Sequence, residues 1–321
     1  MGKNTKIWLI IAASCILLGI IIFGSVMTIL KWDFTQLSTN TFETKNHKIN
    51  EDFKSISINT DTAEIKLVPS ESSESSAECY EQNNLKHSVE VKDGTLVIQV
   101  VDTRKWYEYI GINFGSPKIT VYIPQGNYGA LQIKSSTGGV EIPKDFVFES
   151  ISITESTGDV KCYASAEKAV MITTSTGDIS VENISAASLS LSVSTGKLTV
   201  SDVNCEGDVS IDVSTGKSSV SDVKCKNLFS NGDTGDISLN QVVAKEKISI
   251  ERSTGDVKFD GCDAAEIFVK TDTGDVKGTL LSEKVFIVDT NTGKKEVPKT
   301  TSGGRCEITT DTGDIKISIE Q

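Results

Sequence analysis

Helix-period patterning is missing from nearly all of this 321-residue chain. No segment after residue 31 repeats its apolar residues at three- and four-residue spacing, so a helical bundle or an α/β fold is excluded. Aromatic residues make up only 6% of the chain, which leaves little material for a bulky globular core. Histidine occurs twice, as His47 and His87, and arginine three times, as Arg104, Arg252 and Arg305. A glycan-cleaving enzyme needs clustered carboxylates with a base beside them, and the chain is poor in bases. Positive charge is short as well. With 32 Lys and Arg against 44 Asp and Glu, the formal net charge is −12, which argues against nucleic acid and against wrapping anionic polymers.

Charge of either sign is absent from Ile7 to Leu30, "IWLIIAASCILLGIIIFGSVMTIL", 24 residues long. At a rise of about 1.5 Å per residue this run spans the roughly 30 Å of a bilayer core. It is longer than a signal-peptide core, and no Ala-x-Ala site follows it. Lys3 and Lys6 precede it, which predicts a single pass with the N-terminus in the cytoplasm and the rest extracytoplasmic. Setting aside Lys3, Lys6 and Lys31 leaves 29 basic residues against 44 acidic ones outside, a formal −15.

What the exported part has in plenty is one phrase. "STGDV", "STGDI", "DTGDI", "STGK" and their variants recur, with the glycine at positions 138, 158, 177, 196, 216, 235, 255, 274, 293 and 313. Every step is 19 or 20 residues. Seven and five residues before the glycine stand apolar pairs such as Leu131 and Ile133, Val170 and Ile172, and Ile248 and Ile250. Two and four residues after it stand Val140 and Ile142, Ile179 and Val181, and Ile315 and Ile317. Apolar residues two apart mark half-buried strands. The unit reads as strand, tight turn, strand and looser turn, with the odd residue placed in the looser turn.

Two short strands cannot bury their own apolar face, so the units must stack in parallel. The fold class is therefore all-β: a parallel β-solenoid of about ten coils, roughly 50 Å long at about 4.8 Å per strand. Gly138, Gly158, Gly177, Gly196, Gly216, Gly235, Gly255, Gly274, Gly293 and Gly313 are structural turn residues that take positive φ without steric penalty. The threonine before each glycine forms a ladder. The following Asp accepts from amides of its own turn.

The Asp column runs Asp159, Asp178, Asp236, Asp256, Asp275 and Asp314, with Lys197, Lys217 and Lys294 breaking it. One carboxylate per coil at a period of 19 or 20 is not the nine-residue pattern of calcium β-rolls. No catalytic, cofactor or metal residue is assigned. Six cysteines lie outside, at 79, 162, 205, 225, 262 and 306. They read as small buried apolar residues, with one candidate bridge: Cys205 and Cys225 each lie nine residues past their glycine and stack within disulfide reach.

The front is less regular. "FKSISINTDTAEIKLVP" (53–69) is a degenerate first coil, "HSVEVKDGTLVIQVV" (87–101) a hairpin turning at Asp93-Gly94, and "KITVYIP" (118–124) a strand. The loop at 104–115 gathers Trp106, Tyr107, Tyr109 and Phe114, candidate contacts for a glycan or protein partner. The chain divides into a cytoplasmic tip (1–6), a transmembrane anchor (7–30), a tether (31–50), an N-terminal β cap with the first coil (51–130) and the repeats (131–321). It stops in "GDIKISIEQ", a strand whose open edge invites pairing with another molecule, with Lys316 and Glu320 as deterrents.

"ITVYIPQGNYGALQIKSSTGGVEI" (119–142) and the S/T-G-D coils resemble the bacterial putative-adhesin domain family of envelope β-solenoids, over about residues 50–321. The resemblance implies a surface or envelope role, often in membrane-anchored Gram-positive proteins, sometimes linked to stress response, and supplies no catalytic residues. The expected function is a non-enzymatic, membrane-anchored binding module of adhesin or envelope-stress type. The alternatives are a polysaccharide-active β-helix enzyme and an accessory subunit of a membrane complex.

Overall fold

Inward-pointing residues two apart and a glycine every 19 or 20 residues close the chain into stacked coils. The computed structural model describes residues 2–37, 41–106 and 115–320. Helix α1 (Lys3–Ile29) is long and apolar enough to cross a membrane, and apart from Met27 near its end the rest of the described chain leaves it largely uncovered. Strands β1 (Phe42–Ile49), β2 (Ser55–Thr62), β3 (Glu64–Ser70), β4 (Ser75–Gln82), β5 (Leu85–Lys92), β6 (Thr95–Asp102), β7 (Lys118–Pro124) and β8 (Gly126–Thr137) follow, and then the regular coils. Residues 42–49 were expected as tether. They are a strand because β4 offers them an edge: β1 pairs antiparallel with it from Phe42↔Gln82 to Ile49↔Ser75.

Each coil has three faces rather than two. The first face precedes the glycine, as in Ile151↔Val170 and Ile153↔Ile172. The second follows it, as in Val160↔Ile179 and Cys162↔Val181. The expected looser turn contains a third short ladder, with Ile184↔Val203 and Val203↔Val223 pointing inward. A second corner opens it, where Asn183, Asp202, Asp222 and Gln241 take φ between 52° and 56°. Asn and Asp tolerate this left-handed conformation better than most side chains. The odd residue is absorbed at the third corner, where the register shifts at 148–150 and 225–227. The three faces enclose a thin core of Val, Ile and Leu that is continuous from Ile56 to Ile317.

The core carries a few buried polar groups. Glu155 is 2% exposed, and neither carboxylate oxygen has a hydrogen-bond partner among the described residues. Burial pushes its pKa up; the Ser135 hydroxyl and the amides of Ser156 and Thr157 offset this only in part, none closing a bond of standard geometry. A carboxyl whose folded pKa is raised keeps its proton where the unfolded chain has lost it. Its stability contribution is present at low pH and is lost as pH rises from the ordinary carboxylate range through the folded pKa. Glu155→Gln is therefore expected to raise the melting temperature at pH 7, by about 1 kcal/mol of stability, and to change little at pH 4. Melting curves at the two pH values check this. Farther along the same inward column, Arg252 donates to Ser230 Oγ at 2.8 Å and lies over Gly232, where a Cβ would sit 1.7 Å from its Nη1.

The two ends are built differently. At the front, β2 pairs in parallel with both β6 and β8, and β3 with β7, so the β6 and β7 strands form a further layer. Beyond them β5, β4 and β1 run antiparallel and close the core. At the other end the chain order is broken. Gly304–Thr312 pairs with Glu266–Thr273 on one side and with Lys284–Thr292 on the other. The last coil is thus inserted before the one that precedes it in sequence.

Two adjacent glycines allow the threading. A Cβ on Gly303 would lie 1.8 Å from Glu283 O, and one on Gly304 would lie 2.1 Å from Ala265 O. On the first face the exposed edge is accordingly Lys284–Thr292, with Phe286 and Val288 only half covered and Ile287 48% exposed. Ile315–Ile319 pairs along its whole length with Val276–Leu280, and Lys295–Glu296 covers Ile315 and Lys316 on its other side. The open C-terminal edge, expected with Lys316 and Glu320 as deterrents, is thereby shortened to residues 317–319.

Candidate functional site

The corner is the first place to look, because the repeated phrase sits there. All ten glycines have φ between 131° and 156°. The amides of all but Gly293, on the edge coil, donate to the threonine carbonyl of the neighbouring coil, for example Gly158 N to Thr176 O at 2.8 Å and Gly177 N to Thr195 O at 3.0 Å. The Asp carboxylates are occupied too, though not within their own turn as expected. Asp159 Oδ1 accepts from the Asp178 amide at 2.9 Å, Asp178 Oδ1 from the Lys197 amide at 2.7 Å, and Asp275 Oδ1 from the Asp314 amide at 2.7 Å. Each Asp clamps one coil to the next. A lysine in the column changes the side chain and leaves its backbone donor in place, as at Lys197 and Lys294. The phrase is a stacking device.

The outward side of the first face is different in character. One row runs unbroken along the strands: Gln132, Ser152, Met171, Ser190, Ser210, Phe229, Ser249, Phe268, Glu307 and Ile287. Serines are interspersed with large apolar groups. Phe229, Phe268 and Ile287 follow at intervals of two strands, about 10 Å. Met171 is 52% exposed. Phe268 is flanked by Lys247 Nζ, 4.2 Å from the ring centroid, and by Arg305 at 5.4 Å. A shallow groove lined by Ser249, Glu251, Phe268, Lys270, Glu307 and Thr309 lies along this stretch. Hydroxyl, carboxylate and ammonium groups beside half-exposed rings can hydrogen-bond and stack against an extended polar chain.

Residues 53–212 and 197–321 match the family described as Toastrack DUF4097. The chain belongs to the Toastrack DUF4097 family. Its fold resembles the solved structure of a putative adhesin from Parabacteroides distasonis, with a TM-score of 0.50 at 12% identity over 88% of this chain and 98% of that one. A putative lipid binding protein from the same organism aligns with a TM-score of 0.46 at 15% identity, over 88% and 98%. At 12% identity the likeness to the adhesin structure shows the fold alone. No curated protein matches the chain.

Within the Toastrack coils the other sequence candidates fall in separate places. Trp106 is 78% exposed, while Tyr107, Tyr109 and Phe114 lie outside the described residues. Cys205 and Cys225 lie on neighbouring coils, next to the paired Asn204 and Lys224, as buried free thiols. Burial pushes Cys225 up to about 12, with Cys205 adding to the shift, and Cys205 Sγ donates to Asp208 O at 3.5 Å.

One cluster escaped the sequence reading. Cys79, Glu81 and His87 come together in the front cap, with ligand atoms within 4.8 Å of one another. The signal that could have found it is the i, i+2 spacing of Cys79 and Glu81 on one strand face, followed by a histidine across a short hairpin.

Proposed function

We propose that this Toastrack chain is a non-enzymatic, membrane-anchored extracytoplasmic module. It holds a stiff solenoid outside the membrane and presents the serine-rich first face to an extended envelope partner, a glycan before a protein. The observation that carries the reading is the continuous outward row from Gln132 to Ile287, in which Phe229, Phe268 and Ile287 stand two strands apart. Solenoids present flat faces suited to long partners. Helix α1 and Lys3 and Lys6 support the anchor and its orientation, and the adhesin description of the P. distasonis neighbour supports binding. The corner carboxylates clamp amides in a one-per-coil column, which speaks against a hydrolytic pair.

Co-sedimentation of the full-length protein, in liposomes, with isolated cell-envelope fragments tests this. The wild type is expected to be retained. Phe229→Ala combined with Phe268→Ala is expected to weaken retention roughly tenfold or more, at about 1 kcal/mol or somewhat less per ring. Asp178→Ala and Asp256→Ala should bind as wild type does. Equal retention of the double Phe variant and the wild type would sink the face, and loss with Trp106→Ala alone would move the site to the front loop. Turnover of any envelope glycan would overturn the non-enzymatic reading.

A further inference from the structure

Both histidines of the chain lie in the front cap. His87 is on β5, and His47 on β1 stands directly opposite Ala77 of β4. Directly opposed residues share a sheet face, so His47 lies on the same side as Ala77, Cys79 and Glu81, the buried side of β4. Two buried atoms in this group have no hydrogen-bond partner among the described residues: Glu81 Oε1 and His47 Nε2. The Glu81 side chain is 0% exposed. A carboxylate buried with one bare oxygen carries a large desolvation cost that a cation would offset.

We propose that Cys79, Glu81 and His87, completed by His47, form a binding site for a borderline divalent cation, of which Zn2+ is the best match. The donor set is one thiolate sulfur, one carboxylate oxygen and two imidazole nitrogens. That set suits zinc and not the all-oxygen cages of Ca2+ or Mg2+.

The surroundings orient the donors. The His87 amide donates to Glu81 Oε2 at 2.6 Å, and the ring Nδ1 lies 3.0 Å from the same oxygen. Nε2 lies 2.9 Å from Thr60 Oγ1. With Nε2–H donating to Thr60, Nδ1 is the nitrogen left for the metal, and Thr60 acts as a positioning residue. The thiol of Cys79 gives up its proton to solvent when the sulfur binds the ion. Burial, with the Glu81 charge adding to it, pushes that thiol up to about 12 while it is metal-free, and Lys45, exposed on β1 opposite Cys79, opposes the shift. The same Thr60–His87–Glu81 line has the order of a nucleophile, base and acid, but Thr60 is only 3% exposed, which leaves its hydroxyl closed to substrate.

The ring of His47 stands outside the 4.8 Å cluster of the other three; with it drawn in as the fourth ligand no position stays open, and the site is structural. It ties together β1, β4 and β5. Strand β1 is the first after helix α1, so the metal would fasten the solenoid to the segment that leads to the membrane.

Metal content of the untagged full-length chain in detergent, after dialysis against a weak chelator, provides the test. One zinc per chain is expected. Replacement by Co2+ should give a thiolate-to-cobalt charge-transfer absorption. Cys79→Ser and Glu81→Gln should lose both, and Cys162→Ser should keep both. Thr60→Val and His47→Gln retain the core packing and keep the test open where Cys79→Ser fails to fold. Chelator competition should show Zn2+ held roughly 10–100-fold more weakly in Thr60→Val, and at least as weakly in His47→Gln. Zinc far below one per chain, zinc retained by Cys79→Ser, or unchanged competition in both mild variants would overturn the proposal.

Discussion

Replacing Gly216 by alanine is expected to open the middle of the solenoid. Gly216 has φ 144°, and a Cβ there would lie 1.8 Å from Gly196 O on the neighbouring coil. The conformation alone costs an L-residue roughly 1–3 kcal/mol. The overlap adds to it, because the obstacle is backbone and no side chain can turn away. Relief requires the two coils to separate, which breaks the hydrogen bonds from Gly196 N to Thr215 O and from Leu198 N to Lys217 O, 3.0 and 2.9 Å long.

The expected loss is at least about 3 kcal/mol, a fall in melting temperature of roughly 6–12 °C, or failure to fold. Gly126→Ala is the control, since nothing lies within 4 Å of a Cβ at that position; it should melt within about 0.5 kcal/mol of wild type. Asp178→Ala removes one exposed clamp to the Lys197 amide and should cost about 1 kcal/mol or less. A Gly216→Ala protein that melts with the wild type would show that the corner glycines do not stack backbone against backbone.

The corner was legible in the sequence because its requirement is local and absolute. Each coil needs one residue at a φ that only glycine adopts freely, and the steric demand repeats with every coil. The inward pairs of the first two faces were legible for the same reason. The third face was not, because its ladder is two or three residues long and its corner uses Asn183, Asp202 and Asp222, which also pass for ordinary loop residues. Strand β1 was read as tether because "FETKNHKI" is polar; it is held by the edge that β4 provides and not by burial of its own.

The metal cluster depends on that same pairing. His47 and Cys79 are 32 positions apart, and nothing in either segment announces the other. The inserted last coil was hidden for a different reason. Its phrase, "TDTGDIKI", fits any place in the stack, so neighbours are chosen by long-range packing. The one local trace is Gly303-Gly304, a close approach to two different coils at consecutive residues.

The columns, faces and ends of the solenoid all depend on which strands are neighbours, and the last coils are where chain order and stacking order part. Lys270 is paired with Thr309, and Thr309 with Asp289, so Lys270 and Asp289 stand two strands apart. Neighbouring strands lie about 4.8 Å apart, within disulfide range, and next-but-one strands lie about 10 Å apart, outside it. The six native cysteines of the solenoid and cap are buried and do not compete.

Oxidative cross-linking of the full-length chain, read by mass spectrometry, therefore decides between the two stacking orders. Lys270→Cys with Thr309→Cys is predicted to close a bridge nearly completely, and Lys270→Cys with Asp289→Cys to stay reduced. A bridge between positions 270 and 289, with none between 270 and 309, would mean that the coils stack in chain order and would contradict the inserted last coil.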